Sequence, residues 1–166
     1  MTTVDWARAL LATAAVGLLL TGCAPTATTS DNPPSDGSIS EDGKQHMTDT
    51  IPIEIEFLGQ QIHGILDDTV IAASLADQLP LTLQFEDYGG QEKIAALPTI
   101  LDTTEAPRGS DAPAATIGYY APKQSLVLYY EHVGRFDGIM PLGTLDDITT
   151  LSAITTGFTA TIRRTS

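Results

Sequence analysis

Cysteine is nearly absent from this chain, because Cys23 is the only one among 166 residues. No disulfide can form within one copy, so a folded domain must depend on its hydrophobic core. Tryptophan is equally scarce, with Trp6 alone near the start. Basic residues are few as well: 8 Lys and Arg stand against 21 Asp and Glu, a formal net charge of −13. Binding of nucleic acid requires a basic surface, so the composition argues against such a partner and is typical of a solvated acidic surface.

A hydrophobic run long enough to cross a membrane is also missing. The apolar run of residues 9–20 follows Arg8 and has about 12 residues, fewer than the roughly 20 that span a bilayer. The sequence Leu-Thr-Gly-Cys, ending at Cys23, follows directly. This pattern predicts a lipoprotein signal peptide over residues 1–23, with a lipobox and lipidation at Cys23. An ordinary secretory signal with a chance cysteine is the alternative.

Lipidation at Cys23 places the protein outside the cytoplasm, at the bacterial membrane or envelope, with the membrane as a partner through the lipid chains. Residues 24–50 are rich in Thr, Ser, Pro, Asp and Gly and contain few large apolar residues. Such a segment buries too little surface to offset the entropy of ordering, so we predict a disordered tether. Its typical reach of about 30 Å holds the following domain, residues 51–164, clear of the lipid.

The segment that carries the strongest strand pattern is residues 116–130, TIGYYAPKQSLVLYY, with four of the five tyrosines. Two runs of strand-forming residues flank a turn that contains Pro122, so the segment is predicted to be a β-hairpin in a half-buried sheet. Tyr120 and Tyr129 point away from the predicted core. The side chains predicted to face the core are those of Ile117, Tyr119, Leu126, Leu128 and Tyr130.

Alternation of apolar and polar residues predicts further strands, and the Pro- and Gly-rich segments between them predict loops. A turn at Gly59-Gln60 joins the first two strands, and a helix capped within residues 67–69 ends at Pro80. Residues 99–115, which lack periodicity, are predicted as a surface loop, and residues 131–138, which are rich in turn residues, are predicted as a second loop. The predicted strands are residues 51–57, 61–67, 81–88, 139–145 and a last one from Phe158, with a short helix through Leu151 before it.

Four motifs carry a resemblance to a known family. They are LPLTL at residues 79–83, DYGGQEKI at 87–94, IGYYAP at 117–122 and PLG at 141–143. Together these motifs resemble the bacterial cyclophilin-like domain family over residues 51–164. The resemblance implies a mainly β fold, a small antiparallel β-barrel with one or two helices.

Catalysis by prolyl isomerisation is not implied by this resemblance. Cyclophilins carry a catalytic arginine in a Phe-His-Arg stretch on the strand after the first helix, whereas residues 81–88 contain neither Arg nor His. Trp6 leaves with the signal peptide, so the tryptophan of the cyclophilin proline pocket has no counterpart. The expectation is a non-catalytic binding module, with a weak or unconventional isomerase or another small enzyme as the alternative. No cofactor or metal site is expected, because the three histidines are scattered and no nucleotide-binding fingerprint is present.

Candidate ligand-binding residues are Tyr88, Glu92, Lys93 and Tyr120, which strands and turns can bring to one rim of a small barrel. An unidentified peptide, protein or small molecule is the expected partner of this rim. The alternative gives these side chains structural roles, with Tyr119 and Tyr130 in the core and Glu92 paired with Lys93 on the surface. A module that docks on another envelope protein is a third possibility.

Overall fold

The computed structural model describes residues 49–165. The predicted signal peptide, the lipidation site Cys23 and residues 24–48 of the predicted tether lie outside the described residues. Within the described range, no helix combines the length and the apolar character that crossing a membrane requires.

The described residues form ten strands and two α-helices, and a 3₁₀ turn lies between the sixth and seventh strands. Helix α1 spans Val70–Ala76, helix α2 spans Thr149–Ala153, and the 3₁₀ turn spans Ala121–Lys123. The strands are β1 (Ile51–Phe57), β2 (Gln60–Leu66), β3 (Leu81–Tyr88), β4 (Glu92–Ala96), β5 (Gly109–Ala112), β6 (Thr116–Tyr120), β7 (Ser125–Tyr129), β8 (Val133–Asp137), β9 (Ile139–Leu145) and β10 (Phe158–Arg164).

Eight of these strands close into an antiparallel barrel in the order β1-β10-β3-β4-β7-β6-β9-β2. The predicted fold class, a mainly β antiparallel barrel with one or two helices, is confirmed. Alternate side chains of each strand point inward and fill the barrel, as the sequence pattern predicted. Those with almost no exposed surface include Ile53, Ile55, Leu66, Phe85, Ile117, Leu126, Leu128, Leu142 and Ile162.

The first hairpin and the first helix differ from the prediction at their ends. The turn between β1 and β2 consists of Leu58 and Gly59, both with positive φ, one residue earlier than predicted. The N-cap of α1 lies within the predicted residues 67–69: the side chain of Thr69 accepts a hydrogen bond from the backbone N–H of Ala72 at 3.3 Å. The helix ends at Ala76, four residues before the proline that was expected to stop it.

A second sheet of two strands, β5 and β8, was not predicted. Residues 109–112 and 133–137 pair antiparallel with an irregular register, within the two segments predicted as loops. We call this pair the flap. It covers part of the outer face of the barrel, where a second small core forms from Ala112 of the flap and Val127, Tyr129 and Ile139 of the barrel.

The hairpin of β6 and β7 is confirmed, with the 3₁₀ turn between its strands. Every residue of β7 is buried, because the barrel core covers one face and the second small core covers the other. The hairpin is therefore buried on both faces over most of its length, whereas the alternation predicted a half-buried sheet.

Candidate functional site

A pocket of about 280 Å³ lies on the outer face of the barrel, beside the flap. Barrel strands β3, β4, β6, β7 and β9 and the 3₁₀ turn contribute part of its lining, and β8 of the flap contributes another part. The lining residues are Tyr88, Gln91, Glu92, Ile94, Tyr120, Lys123, Ser125, Val127, Tyr129, Val133, Phe136 and Ile139.

Three of the four candidate ligand-binding residues meet in this pocket. Tyr88 ends β3, Glu92 begins β4 and Tyr120 ends β6, and all three line the cavity. The fourth, Lys93, does not line it, because its side chain points from the next position of β4 to the opposite face of the strand and is fully buried. Glu92 and Lys93 are therefore separated by the barrel wall and do not pair with each other on the surface.

The absence of a side chain at Gly118 creates room for one wall of the pocket. Gly118 lies on β6 beside β7, and a Cβ atom at this position would approach Cε2 of Tyr129 to 2.9 Å. The ring of Tyr129 therefore lies directly over the backbone of β6. This close packing leaves Tyr129 only 1% exposed, although it is on the outer face of the barrel.

The opposite wall forms where the flap returns to the barrel. The ring of Phe136 on β8 lies 6.2 Å from the ring of Tyr120, in a tilted arrangement. Gly138 follows β8 with a φ of +92°, and a Cβ atom there would approach the ring of Pro122 to 2.6 Å. A side chain at Gly138 would thus push the flap away from the 3₁₀ turn. Phe136 remains 58% exposed, so its ring is accessible at the edge of the pocket.

Two groups of opposite charge line the pocket. Burial raises the pKa of the Glu92 carboxyl, and the positive charge of Lys123 offsets part of this effect. Lys123 itself is exposed, and its Nζ lies 5.7 Å from the centre of the Tyr88 ring, within the range of a cation–π contact. The pocket thus combines an aromatic wall, a partly desolvated carboxyl group and an ammonium group on a flexible side chain.

The hydroxyl group of Tyr129 is also affected by the charge of Glu92. Burial raises the pKa of Tyr129 well above the ordinary value of tyrosine, with smaller contributions from Glu92 and Tyr120. Among the described residues, this hydroxyl is not one of the fully buried side-chain polar atoms that lack a hydrogen-bond partner. With its raised pKa the hydroxyl stays protonated at neutral pH, and it can act as a hydrogen-bond donor.

Lys93 belongs to a different cluster, at the inner face of the barrel. Its Nζ donates to Oδ1 of Asp87 at 2.5 Å and to the backbone carbonyl of Ile154, and it lies 4.5 Å from the centre of the Tyr130 ring. The hydroxyl of Tyr130 donates to the same Oδ1 of Asp87 at 2.6 Å. The ammonium group of Lys93 and the hydroxyl of Tyr130 are both used internally, so the cluster has the character of a structural ion pair.

The contacts within this cluster shift the pKa values of Asp87 and Tyr130. The hydrogen bonds from Lys93 and Tyr130 hold the pKa of the Asp87 carboxyl below its usual value. Burial and the hydrogen bond to Asp87 raise the pKa of Tyr130 to about 12. Both shifts favour the protonation states found at neutral pH, a carboxylate beside a neutral phenol.

Sequence reasoning missed the flap residues that line the pocket, Val133 and Phe136, and it also missed Lys123. The segment around Phe136 contains Gly134, Arg135 and Gly138 and lacks alternation, so no strand was predicted. The one feature of the sequence that could have indicated a pocket residue here was Phe136, an isolated aromatic residue in a polar segment. Lys123 follows Pro122 in the predicted turn, and turn residues are normally assigned to the solvent.

The described residues contain no group of three or more His, Cys, Asp or Glu side chains arranged to hold a metal ion. Strand β3, which follows the first helix, carries Leu, Thr, Gln, Phe, Glu, Asp and Tyr, and no arginine faces the pocket from it. The described residues that line the pocket therefore include acid–base groups and aromatic rings but no arginine.

Comparison with known proteins gives a match to a family model and matches among solved structures. A family model described as "Cyclophilin-like family" matches residues 55–163. Among solved structures, the chain is similar to the solution structure of the hypothetical protein AF2241 from Archaeoglobus fulgidus, with a TM-score of 0.53 and 13% sequence identity, over 73% of this chain and 99% of that one. At this identity the likeness shows the fold alone. No curated protein sequence matches the chain.

Proposed function

The chain belongs to the cyclophilin-like family, and we propose that it is a lipid-anchored, extracytoplasmic binding module that holds a peptide or small ligand in the pocket beside the flap. The observation that carries the proposal is the convergence of four aromatic rings on one accessible cavity. These rings are those of Tyr88, Tyr120, Tyr129 and Phe136.

Aromatic side chains exposed together in a concave site favour ligand binding over a purely structural role. Tyr88 and Phe136 are each more than half exposed, so neither is needed to complete the core. A ligand that covers them removes apolar surface from water and gains contacts with rigid rings. The hydroxyl of Tyr129 and the carboxyl of Glu92 supply polar contacts that select among ligands.

Peptide binding can be tested directly with the purified protein. A mixture of blocked hexapeptides of random sequence is passed over immobilised protein, and the retained peptides are identified by mass spectrometry. We expect a subset to be retained by the wild type and retention to fall for the Phe136→Ala variant, whose ring contributes to the pocket but little to the core. Equal retention by both proteins, or no enrichment at all, would count against the pocket as the binding site.

Absence of catalysis is the second part of the proposal. The isomerisation rate of a standard proline peptide, measured with and without the protein, is expected to be the same, because no arginine of residues 49–165 lines the pocket and could stabilise the twisted imide there. The alternative, a weak or unconventional isomerase, draws support from the raised pKa of Glu92, since shifted pKa values in a cleft are typical of catalytic groups. A rate clearly above the buffer blank, abolished by Glu92→Gln, would establish that alternative.

Attachment to the membrane rests on Cys23 and the lipobox before it. In a bacterial host, the wild-type chain is expected in the membrane fraction and the Cys23→Ala variant outside it. A single acyl chain binds a bilayer only marginally, so the two or three chains of a lipoprotein explain stable retention. Persistent membrane retention of Cys23→Ala would contradict lipidation while leaving the pocket proposal intact.

A further inference from the structure

Glu92 is the one carboxylate that lines the pocket of the described domain, and no side chain of that domain forms an ion pair with it. The side chain is half-buried, and it forms no ion pair or side-chain hydrogen bond with any residue between 49 and 165. A half-buried carboxylate loses part of its hydration, and a positive charge placed beside it offsets that loss. The site around Glu92 is therefore complementary to a cation.

Aromatic rings surround the same space and favour the same kind of ligand. Tyr88, Tyr120, Tyr129 and Phe136 all line the cavity into which Glu92 points. The faces of such rings carry negative electrostatic potential, and several rings around one space are suited to an alkylammonium group, which is both charged and apolar. A small inorganic cation is less suited, because rings replace its hydration shell poorly.

Lys123 supplies a second, independent observation. Its ammonium group already lies over the ring of Tyr88, and its charge acts on Glu92, although no direct ion pair joins them. An alkylammonium group of the chain itself is therefore held at the pocket mouth by the contacts that a ligand would use. Since the lysine side chain is exposed and flexible, it can leave when another cation enters.

The geometry points to an organic ammonium group as the ligand chemistry of this pocket, with Glu92 as its counter-ion and Lys123 as a competing cation tethered at the mouth. This inference rests on the proposed binding function and specifies its ligand class. The net charge of −13 acts in the same direction, because an acidic protein raises the local concentration of cations near its surface. The ammonium group can belong to a free amine or to a lysine side chain of a peptide.

The test uses tetramethylammonium as the probe and neopentyl alcohol as a neutral compound of nearly the same shape. Binding of each to the purified protein is measured by NMR titration, in low salt so that charge effects are not screened. We expect tetramethylammonium to bind on the order of tenfold more tightly than the neutral compound. Equal binding of the two compounds would overturn the inference.

Two charge variants sharpen the test because they have opposite expected effects. Glu92→Gln keeps the shape of the side chain and is expected to remove the preference for the cation. Lys123→Gln removes the competing charge and is expected to strengthen tetramethylammonium binding about threefold. Unchanged binding by Glu92→Gln, or weaker binding by Lys123→Gln, would overturn the inference.

An anionic probe separates this inference from the proposed function. Benzoate has an aromatic ring and a carboxylate, and if the pocket selects anions it would bind through Lys123 and lose affinity in Lys123→Gln. That result, together with hexapeptide retention by the wild type, would leave the binding function standing and refute the ammonium assignment. Hexapeptide retention that Phe136→Ala does not reduce would instead refute the pocket itself.

Discussion

Glu92 and Lys93 are neighbours on one strand, yet they belong to regions with opposite properties. Lys93 points into the barrel, where a carboxylate, a backbone carbonyl and an aromatic ring use its charge. Glu92 points outward into the pocket, where nothing among the described residues pairs with it. A polar side chain in this barrel thus stabilises the fold where its partners are internal, and it is available to a ligand where such partners are missing.

The two regions should therefore respond differently to substitution. Lys93 is fully buried and Asp87 is partly buried, so removal of Lys93 leaves a partly desolvated carboxylate without its ion pair, which is destabilising. Removal of a pocket side chain that lacks internal partners leaves the core intact and affects the ligand instead. Stability and ligand binding are thus expected to separate between the inner and outer faces of β4.

The largest effect is expected for Lys93→Met, which fills a similar volume without the charge. The free energy of unfolding should fall by about 3 kcal/mol, because Asp87 loses its ion pair and the carbonyl of Ile154 loses a donor. Urea denaturation measures this change, and Glu92→Gln is the matched control, expected within about 0.5 kcal/mol of the wild type. If both variants lose the same stability, the division between the two faces does not hold.

A smaller effect, on affinity instead of stability, is expected for Tyr120→Ala. The ring of Tyr120 contacts Phe136 and lines the pocket while remaining partly exposed. Affinity for a retained hexapeptide should fall about tenfold, measured by calorimetric titration. Ile100→Ala serves as the control, because Ile100 is 67% exposed and does not line the pocket. Equal losses for the two variants would place the binding surface elsewhere.

The smallest effect is expected for Tyr130→Phe, which removes one hydrogen bond from the inner cluster. At neutral pH the variant should lose about 1 kcal/mol of stability, since the hydroxyl donates to the Asp87 carboxylate. Because Asp87 has a lowered pKa in the folded protein, its contribution is full above its unfolded pKa, about 4, and is lost as the pH falls through the folded value.

The effect of Tyr130→Phe on stability is expected to depend on pH. The stability difference between the wild type and Tyr130→Phe should shrink as the pH falls below about 4, measured by urea denaturation across a pH series. Tyr88→Phe is the control, because the exposed Tyr88 donates to no carboxylate within the described domain. A difference that stays constant down to low pH would show that Tyr130 does not act through Asp87.

Strict alternation explains why the barrel was predictable from the sequence. In β1, β3 and β10, apolar residues recur at every second position, and all three strands were placed within a residue of their observed start. The same alternation separates Glu92 from Lys93, which the site prediction had grouped by residue type. The face of the strand to which a side chain points was thus more informative about the site than whether the side chain is polar.

The flap could not be predicted from local pattern, because its strands are defined by their pairing with each other. Strand β5 has four residues, GSDA, and β8 has five, VGRFD, and neither sequence favours a strand by itself. Their pairing joins segments some twenty residues apart, and the packing of Ala112 and Val133 against the barrel stabilises it. The pocket wall that depends on the flap was therefore missed with it.

The five tyrosines allow the central claim to be tested in one measurement. Three of them, Tyr88, Tyr120 and Tyr129, line the pocket, whereas Tyr119 and Tyr130 belong to the inner side of the barrel. In protein labelled with fluorotyrosine and assigned by single Tyr→Phe variants, a retained hexapeptide should shift the three pocket ¹⁹F signals and leave the other two unchanged. Shifts at Tyr119 and Tyr130 equal to those in the pocket, or no shift at Tyr120, would contradict the account.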